Sequence, residues 1–249
     1  MSTTSVSTIE AQITAVMHAL NSLQNTITGM QQTSSTGYYD NSPNNHLRVQ
    51  FGQRTFDSEG LEAPGPFFSR TITWPKLGNS GVTIGRGYDM GQRSSEQIIR
   101  ELTSAGMNHQ DAQFLARAAF KRGTAARDFV TANKGHAPVM PLQVQKQLFE
   151  KITTPEMIND IKRIFSKPDV TSTYGRASWE ALPKAAKEIL FDLRYRGDYT
   201  PTTRRLIQPL LVNNDYQGLR ELINDTTYWA ARGVPSARIR DRQELAKGL

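Results

Sequence analysis

GVTIGRGYDMG, residues 81–91, sets four glycines, one threonine and one aspartate around a short β-like run, and the fold turns on how it is read. Three readings compete: a phosphate-cradling loop, a structural hairpin, or one wall of an active site. Neither dinucleotide nor Walker spacing is met, since no third glycine is correctly placed and no Lys-Ser/Thr pair follows. The run also leads into more loop, not into a helix N-terminus that would offer donors to a phosphate. Upstream, FFSRTITW (67–74) alternates and is rich in aromatic and β-branched residues, and PKLGNSG (75–81) is turn chemistry. The pattern predicts β structure from about Phe67 to Asp89, with VTIGRGYD as the second run of a hairpin.

Beyond Gly91 nearly everything reads as helix. Ser94 or Ser95 is placed to cap SEQIIRELTSAG, and Gly106 to end it. HQDAQFLARAAFKRG and TAARDFVTANKG follow, each closing on a glycine. Pro141 opens PLQVQKQLFEKIT, and Thr154 with Pro155 starts TPEMINDIKRIFSK. SWEALPKAAKEILFDLRYRG, TTRRLIQPLLVN, YQGLRELIND and VPSARIRDRQELAKG complete the series. A small hairpin near the start of a mostly helical domain is an α+β arrangement.

Before the domain, Val6, Ile9, Ile13, Val16, Leu20, Leu23, Ile27 and Met30 step by three and four among Ser, Thr, Asn, Gln and Ala. So narrow an apolar stripe predicts a coiled-coil helix over 1–30. Residues 31–47, rich in Ser, Asn, Gly and Pro, read as a flexible linker, and a folded domain is expected over 48–249.

The chain of 249 residues has a formal charge of +7 and no cysteine. The charge suits an acidic partner such as nucleic acid, an anionic membrane surface or bacterial cell wall. The missing thiols exclude a disulfide framework and cysteine-ligated zinc. No apolar run is long enough to span a membrane, and MSTTSVSTIEAQ lacks the basic and apolar regions of a signal peptide. The expectation is a protein made in the cytoplasm, acting elsewhere only if something carries it there.

Chemistry narrows to carboxylates. His18, His46, His109 and His136 are scattered without ligand spacing, so no metal and no cofactor is expected. No GxSxG nucleophile motif is present. In FDSEGLE, Asp57, Glu59 and Glu62 precede the β run, and Asp89 ends it. Glycoside hydrolysis needs one protonated and one ionised carboxyl group. A Glu beside Phe56 and Leu61 could be held protonated by desolvation, and an Asp at a glycine-flanked strand end could stay ionised. On spacing alone, acidic residues of surface loops are the commoner account of such pairs.

SEGL (58–61), a hairpin ending VTIGRG and an all-helical remainder together resemble the phage-type lysozymes of the T-even kind, and INDTTYWAARGVPSARIRDR is similar to their closing segment. The resemblance covers residues 50–249. It departs in one respect: no Asp lies between Glu59 and Thr83, and Asp89 follows Thr83 by six residues. That displaced Asp resembles the pesticin-like branch, which includes type VI secretion effector muramidases. The resemblance implies a lysozyme-like fold and cleavage of the β-1,4 bond between N-acetylmuramic acid and N-acetylglucosamine. It implies Glu59 as general acid, with Glu62 its competitor, Asp89 as base or charge stabiliser, and Thr83 as orienter of the water. Arg86 and Tyr88 are expected to bind substrate, with Arg238 supporting by pairing with Asp57 or Glu59. An inverting outcome is implied, to be read from the carboxyl separation.

The implied partners are peptidoglycan strands, a secretion spike or tail component docked through residues 6–30, and an immunity protein; nucleic acid and membrane are not expected. The implied setting is an exported antibacterial effector acting in the periplasm or cell wall. A phage endolysin or tail lysin, and an inactive peptidoglycan-binding module, are the alternatives.

Overall fold

The computed structural model describes residues 47–62, 68–75 and 79–249. The described residues belong to one compact unit, Asn41–Leu249. The expected coiled-coil helix and, Leu47 excepted, the linker lie outside the described residues. Leu47 itself packs with Phe56, Phe149 and Phe191.

The domain opens with α1, Gln53–Ser58. Gly52 precedes it at φ 73, and a Cβ there would lie 2.7 Å from Phe191, so the left-handed entry and the close packing both require glycine. The β structure is smaller than the alternation predicted. Thr83–Ile84 (β1) and Tyr88–Asp89 (β2) pair antiparallel, with Thr83 opposite Asp89 and Ile84 opposite Tyr88. VTIGRGYD is therefore not one strand: it folds back on itself about Gly85-Arg86-Gly87, where both glycines have positive φ. The expected outer pairing survives as a single bridge, with Thr73 and Thr83 exchanging N–H···O bonds of 2.8 and 2.9 Å. Thr83 is thus the middle of three chains.

The helices follow the punctuation of the sequence. α2, Ser95–Ser104, is capped by Ser94, whose Oγ accepts from the Gln97 N–H at 3.2 Å, and Gly106 follows its end at φ 97. α3 is His109–Ala116, shorter than the pattern suggested, because the chain leaves the helix and turns through Phe120 at φ 57. α4 is Gly123–Asn133.

α5, Leu142–Leu148, and α6, Thr154–Phe165, were expected as separate helices. They are joined through a π-helical turn, Phe149–Thr153. Pro155 has no N–H to give to the preceding turn and its ring crowds a carbonyl there; a widened turn accommodates both. α7 (Pro168–Tyr174), α8 (Lys184–Arg196) and α9 (Pro201–Val212) come next. α8 begins only after Pro183, so SWEAL precedes the helix instead of belonging to it. α10 (Tyr216–Asn224), α11 (Thr226–Ala230) and α12 (Ser236–Ala246) finish the domain.

Among the described residues the core falls into three clusters. Ile72, Val82, Ile84 and Met90 join the hairpin to α2–α5. Ile161, Leu190, Leu193 and Trp229 knit α6 to the C-terminal helices. Between them Phe56, Phe149 and Phe191 stack edge to face at 5.0 and 6.0 Å, fixing α1 against the π-helical turn and α8. Among the described residues no helix is long and apolar enough to cross a membrane.

Candidate active site

A cleft of about 930 Å³ runs between the end of α1, the hairpin and the start of α12. Glu59 and Thr83 line it from opposite elements, with Trp74 and Leu61 as apolar wall and Arg238 at its edge.

Glu59 is the C-terminal cap residue of α1, placed by an unusual clamp. From the hairpin turn, Arg86 sends its guanidinium back to the helix end. Its Nη1 donates to the carbonyls of Phe56 at 2.8 Å and Gly60 at 2.6 Å, and Nη2 donates to the Glu62 carboxylate. A cation on the last carbonyls of a helix satisfies orphan acceptors and complements the helix dipole. The turn is held in its own right by the Tyr195 hydroxyl, which donates to the Arg86 carbonyl. GRG thus places an arginine between two left-handed residues so that it can pin the segment carrying Glu59.

Arg86 and Tyr88, both expected to bind substrate, are not among the residues lining the cleft. Arg86 is buried, with Nη1 and Nη2 engaged by protein acceptors, and its place is in the scaffold. Tyr88 is buried as well: its hydroxyl donates to Glu101 at 2.7 Å and Arg93 lies 4.4 Å over its ring. Burial, reinforced by Glu101, pushes its phenol well above the ordinary tyrosine range. Successive strand residues face opposite ways, so with Asp89 on the Thr83 face Tyr88 must face the core.

Asp89 does not itself line the cleft, but as the cross-strand partner of Thr83 it shares that face of the hairpin. Its carboxylate is fixed by two backbone donors, Gly91 N–H to Oδ1 at 2.6 Å and Gly81 N–H to Oδ2 at 3.2 Å. A Cβ on Gly81 would fall 2.1 Å from that Oδ1, so the flanking glycine makes room for the carboxylate.

Glu59 and Glu62, the two candidate acids, stand in different surroundings. Glu62 takes Arg86, Gln145 at 2.7 Å, Ser69 at 3.2 Å and Arg70 at 3.1 Å, and it does not line the cleft. It joins the hairpin side to α5. Glu59 faces the cleft, and its surroundings are ionic, in place of the apolar pocket expected from Phe56 and Leu61. Its partner is Arg238, and Leu61 is 57% exposed. Asp57, the other candidate partner of Arg238, instead accepts from Gln53 at 2.9 Å, although it too lines the cleft.

Arg238 leads to residues that the motif search missed. It donates to Asp192 through Nη2 at 2.6 Å and Nε at 3.0 Å, and Arg242 donates to the same carboxylate at 2.6 Å. Arg242 also pairs with Asp198, which pairs in turn with Arg196 at 2.6 Å on the cleft wall. Burial pulls the Arg238 guanidinium toward neutrality, but Asp192 and Glu59 outweigh it and hold it above the ordinary arginine value. RIRDR (238–242) is the densest basic run of the sequence, and its first and last arginines lie inward, four residues apart on one face of α12. A lone Asp inside ILFDLRY was the complementary signal.

Residues 52–243 match the family described as Domain of unknown function (DUF8812), and the chain belongs to that family. No curated protein matches it in sequence.

Proposed function

We propose that this protein is a peptidoglycan hydrolase of lysozyme-like fold, cleaving the β-1,4 bond between N-acetylmuramic acid and N-acetylglucosamine. The observation that carries the reading is that Glu59 and Thr83, 24 residues apart in sequence, line one cleft while Asp89 stands directly opposite Thr83 on the hairpin. An open groove with an apolar side at Trp74 suits the face of a sugar ring.

In this mechanism Glu59 gives its proton to the glycosidic oxygen as the bond to the anomeric carbon breaks. The Thr83 hydroxyl orients a water, and Asp89 takes that water's proton as its oxygen bonds to the anomeric carbon, with inversion. The Gly81 and Gly91 donors hold the Asp89 carboxylate in a fixed orientation beside Thr83. Arg238 stands beside Glu59 and neutralises the carboxylate left after proton transfer. The formal charge of +7 accords with an anionic wall polymer. An exported antibacterial effector is the setting proposed, with residues 6–30, which lie outside the described residues, as the delivery arm.

The test is digestion of purified sacculi followed by mass analysis of the fragments. Wild type should release products ending in reducing muramic acid. Glu59→Gln should lose roughly 10²–10⁴-fold in rate, the ordinary share of a general acid, and Asp89→Asn should also be strongly impaired. Full activity in Glu59→Gln would refute the assignment, and intact sacculi with wild type would refute the reaction.

A further inference from the structure

We propose that Asp192 is a positioning residue for the proton of Glu59, acting through Arg238; the proposal rests on the hydrolase reading above. Asp192 is buried in the middle of α8 and gathers three donor residues from two other helices: Thr55 Oγ1 at 3.1 Å from α1, and Arg238 and Arg242 from α12. Arg238 uses one edge, Nε and Nη2, on Asp192, and its remaining Nη1 on Glu59. A planar guanidinium can bridge two carboxylates in this way, whereas an ammonium cannot present two fixed edges.

The ion pairs form an alternating series: Glu59, Arg238, Asp192, Arg242, Asp198, Arg196. It begins and ends on the cleft wall, at Glu59 and Arg196. Buried ion pairs contribute little net stability compared with apolar packing, so stability is a poor reason for running such a series through the C-terminal core. Its termination on the proposed acid is a better one. Asp192 fixes where the Arg238 fork stands and divides its positive charge, so that Glu59 meets a partly compensated cation. A fully uncompensated one would hold Glu59 as a carboxylate and oppose protonation.

The other charged or titratable groups around Glu59 are Asp57 on α1, Glu62 beyond it, Arg86 from the hairpin turn, Tyr195 and Arg196 from α8, and Asp241 from α12. None of these changes in the variants below, so opposite shifts trace to the series itself.

The test is the pH dependence of kcat/KM on soluble glycan fragments with full-length protein. A general acid works below its pKa, so the alkaline limb reports on Glu59. Asp192→Asn removes a negative charge and should move that limb to lower pH by about one unit. Arg242→Met removes a positive charge and should move it to higher pH by a similar amount. Both variants lose a buried partner, so a purely structural role predicts lower stability in each with the limb unmoved. Limbs that stay in place, or that move the same way, overturn the proposal.

Should Asp192→Asn fail to fold, Arg238→Lys carries the test, since it keeps the charge and breaks only the bridge. The expectation is a kcat about tenfold lower at unchanged KM, and an unchanged kcat overturns the proposal. Inactive wild type would sink the hydrolase reading instead, which keeps the two failures distinct.

Discussion

Substituting Gly87 with alanine separates two costs that the hairpin turn combines. Gly87 has φ 82, a left-handed conformation in which an L side chain costs about 1–2 kcal/mol. Its added Cβ would lie 2.5 Å from the Tyr195 hydroxyl oxygen and 3.0 Å from the ring. That hydroxyl cannot withdraw without losing its bond to the Arg86 carbonyl, and the ring is packed against Phe149 and Phe191 at 5.9 and 5.6 Å. Crowding of this kind costs a further ~1–3 kcal/mol, giving about 3 kcal/mol together. At roughly 2–4 °C per kcal/mol for a domain of this size, the melting temperature should fall by about 6–12 °C.

Gly197 is the internal control. It has φ 87 with nothing within 4 Å of an added Cβ, so Gly197→Ala carries the conformational cost alone, about 1 kcal/mol and roughly 2–4 °C. The assay is thermal unfolding followed by circular dichroism for both variants and wild type. Wall hydrolysis measured well below the transition should also fall in Gly87→Ala, since the displaced turn carries the Arg86 clamp on the Glu59 segment. Gly87→Ala melting no lower than Gly197→Ala would refute the account of the turn.

Two further outcomes follow from side chains whose roles the structure revised or revealed. Tyr88→Phe removes a hydroxyl that donates to buried Glu101, so it should cost about 1–2 kcal/mol of stability and leave KM for glycan unchanged; a raised KM at an unchanged melting temperature would return Tyr88 to the substrate. For Asp160, burial pushes the carboxyl up, but hydrogen bonds and charge from Arg163 and Arg194 win and lower it below its ordinary value. A depressed folded pKa stabilises the fold above the unfolded value of about 3.9 and loses that effect as pH falls through the lower folded one. Asp160→Asn should therefore be less stable than wild type at pH 7 in urea titrations, with the gap closing below about pH 4; a gap independent of pH would contradict the ion-pair account.

Much of this molecule was legible locally, because the governing forces are local. Ser94, Gly106 and Pro141 mark helix ends through capping, left-handed backbone and missing donors, and these act within a few residues, whereas Pro183, read as helix interior, in fact precedes α8. Asp89 and Thr83 were brought together by the resemblance alone; the tight turn that sets them opposite each other was not read. Strand alternation also held the correction for Tyr88, since it put that ring on the face opposite Asp89. The error over VTIGRGYD came from reading β propensity through two glycines whose positive φ turns the chain.

Sequence by itself determined an α+β domain, a hairpin near its start and a short choice of carboxylates. Only the tertiary structure decided which carboxylate faces the cleft and what holds it there. Glu59 meets Arg238 across 179 residues and Asp192 meets it across 46, while Glu62, three positions from Glu59, is drawn to Arg86 and Arg70 instead. Charge pairing at such separations is set by how helices pack, because a guanidinium accepts any carboxylate that burial brings within reach. Packing also turned two arginines of the basic run of α12 inward: Arg238, expected to pair with Asp57 or Glu59, and Arg242, on which no expectation rested.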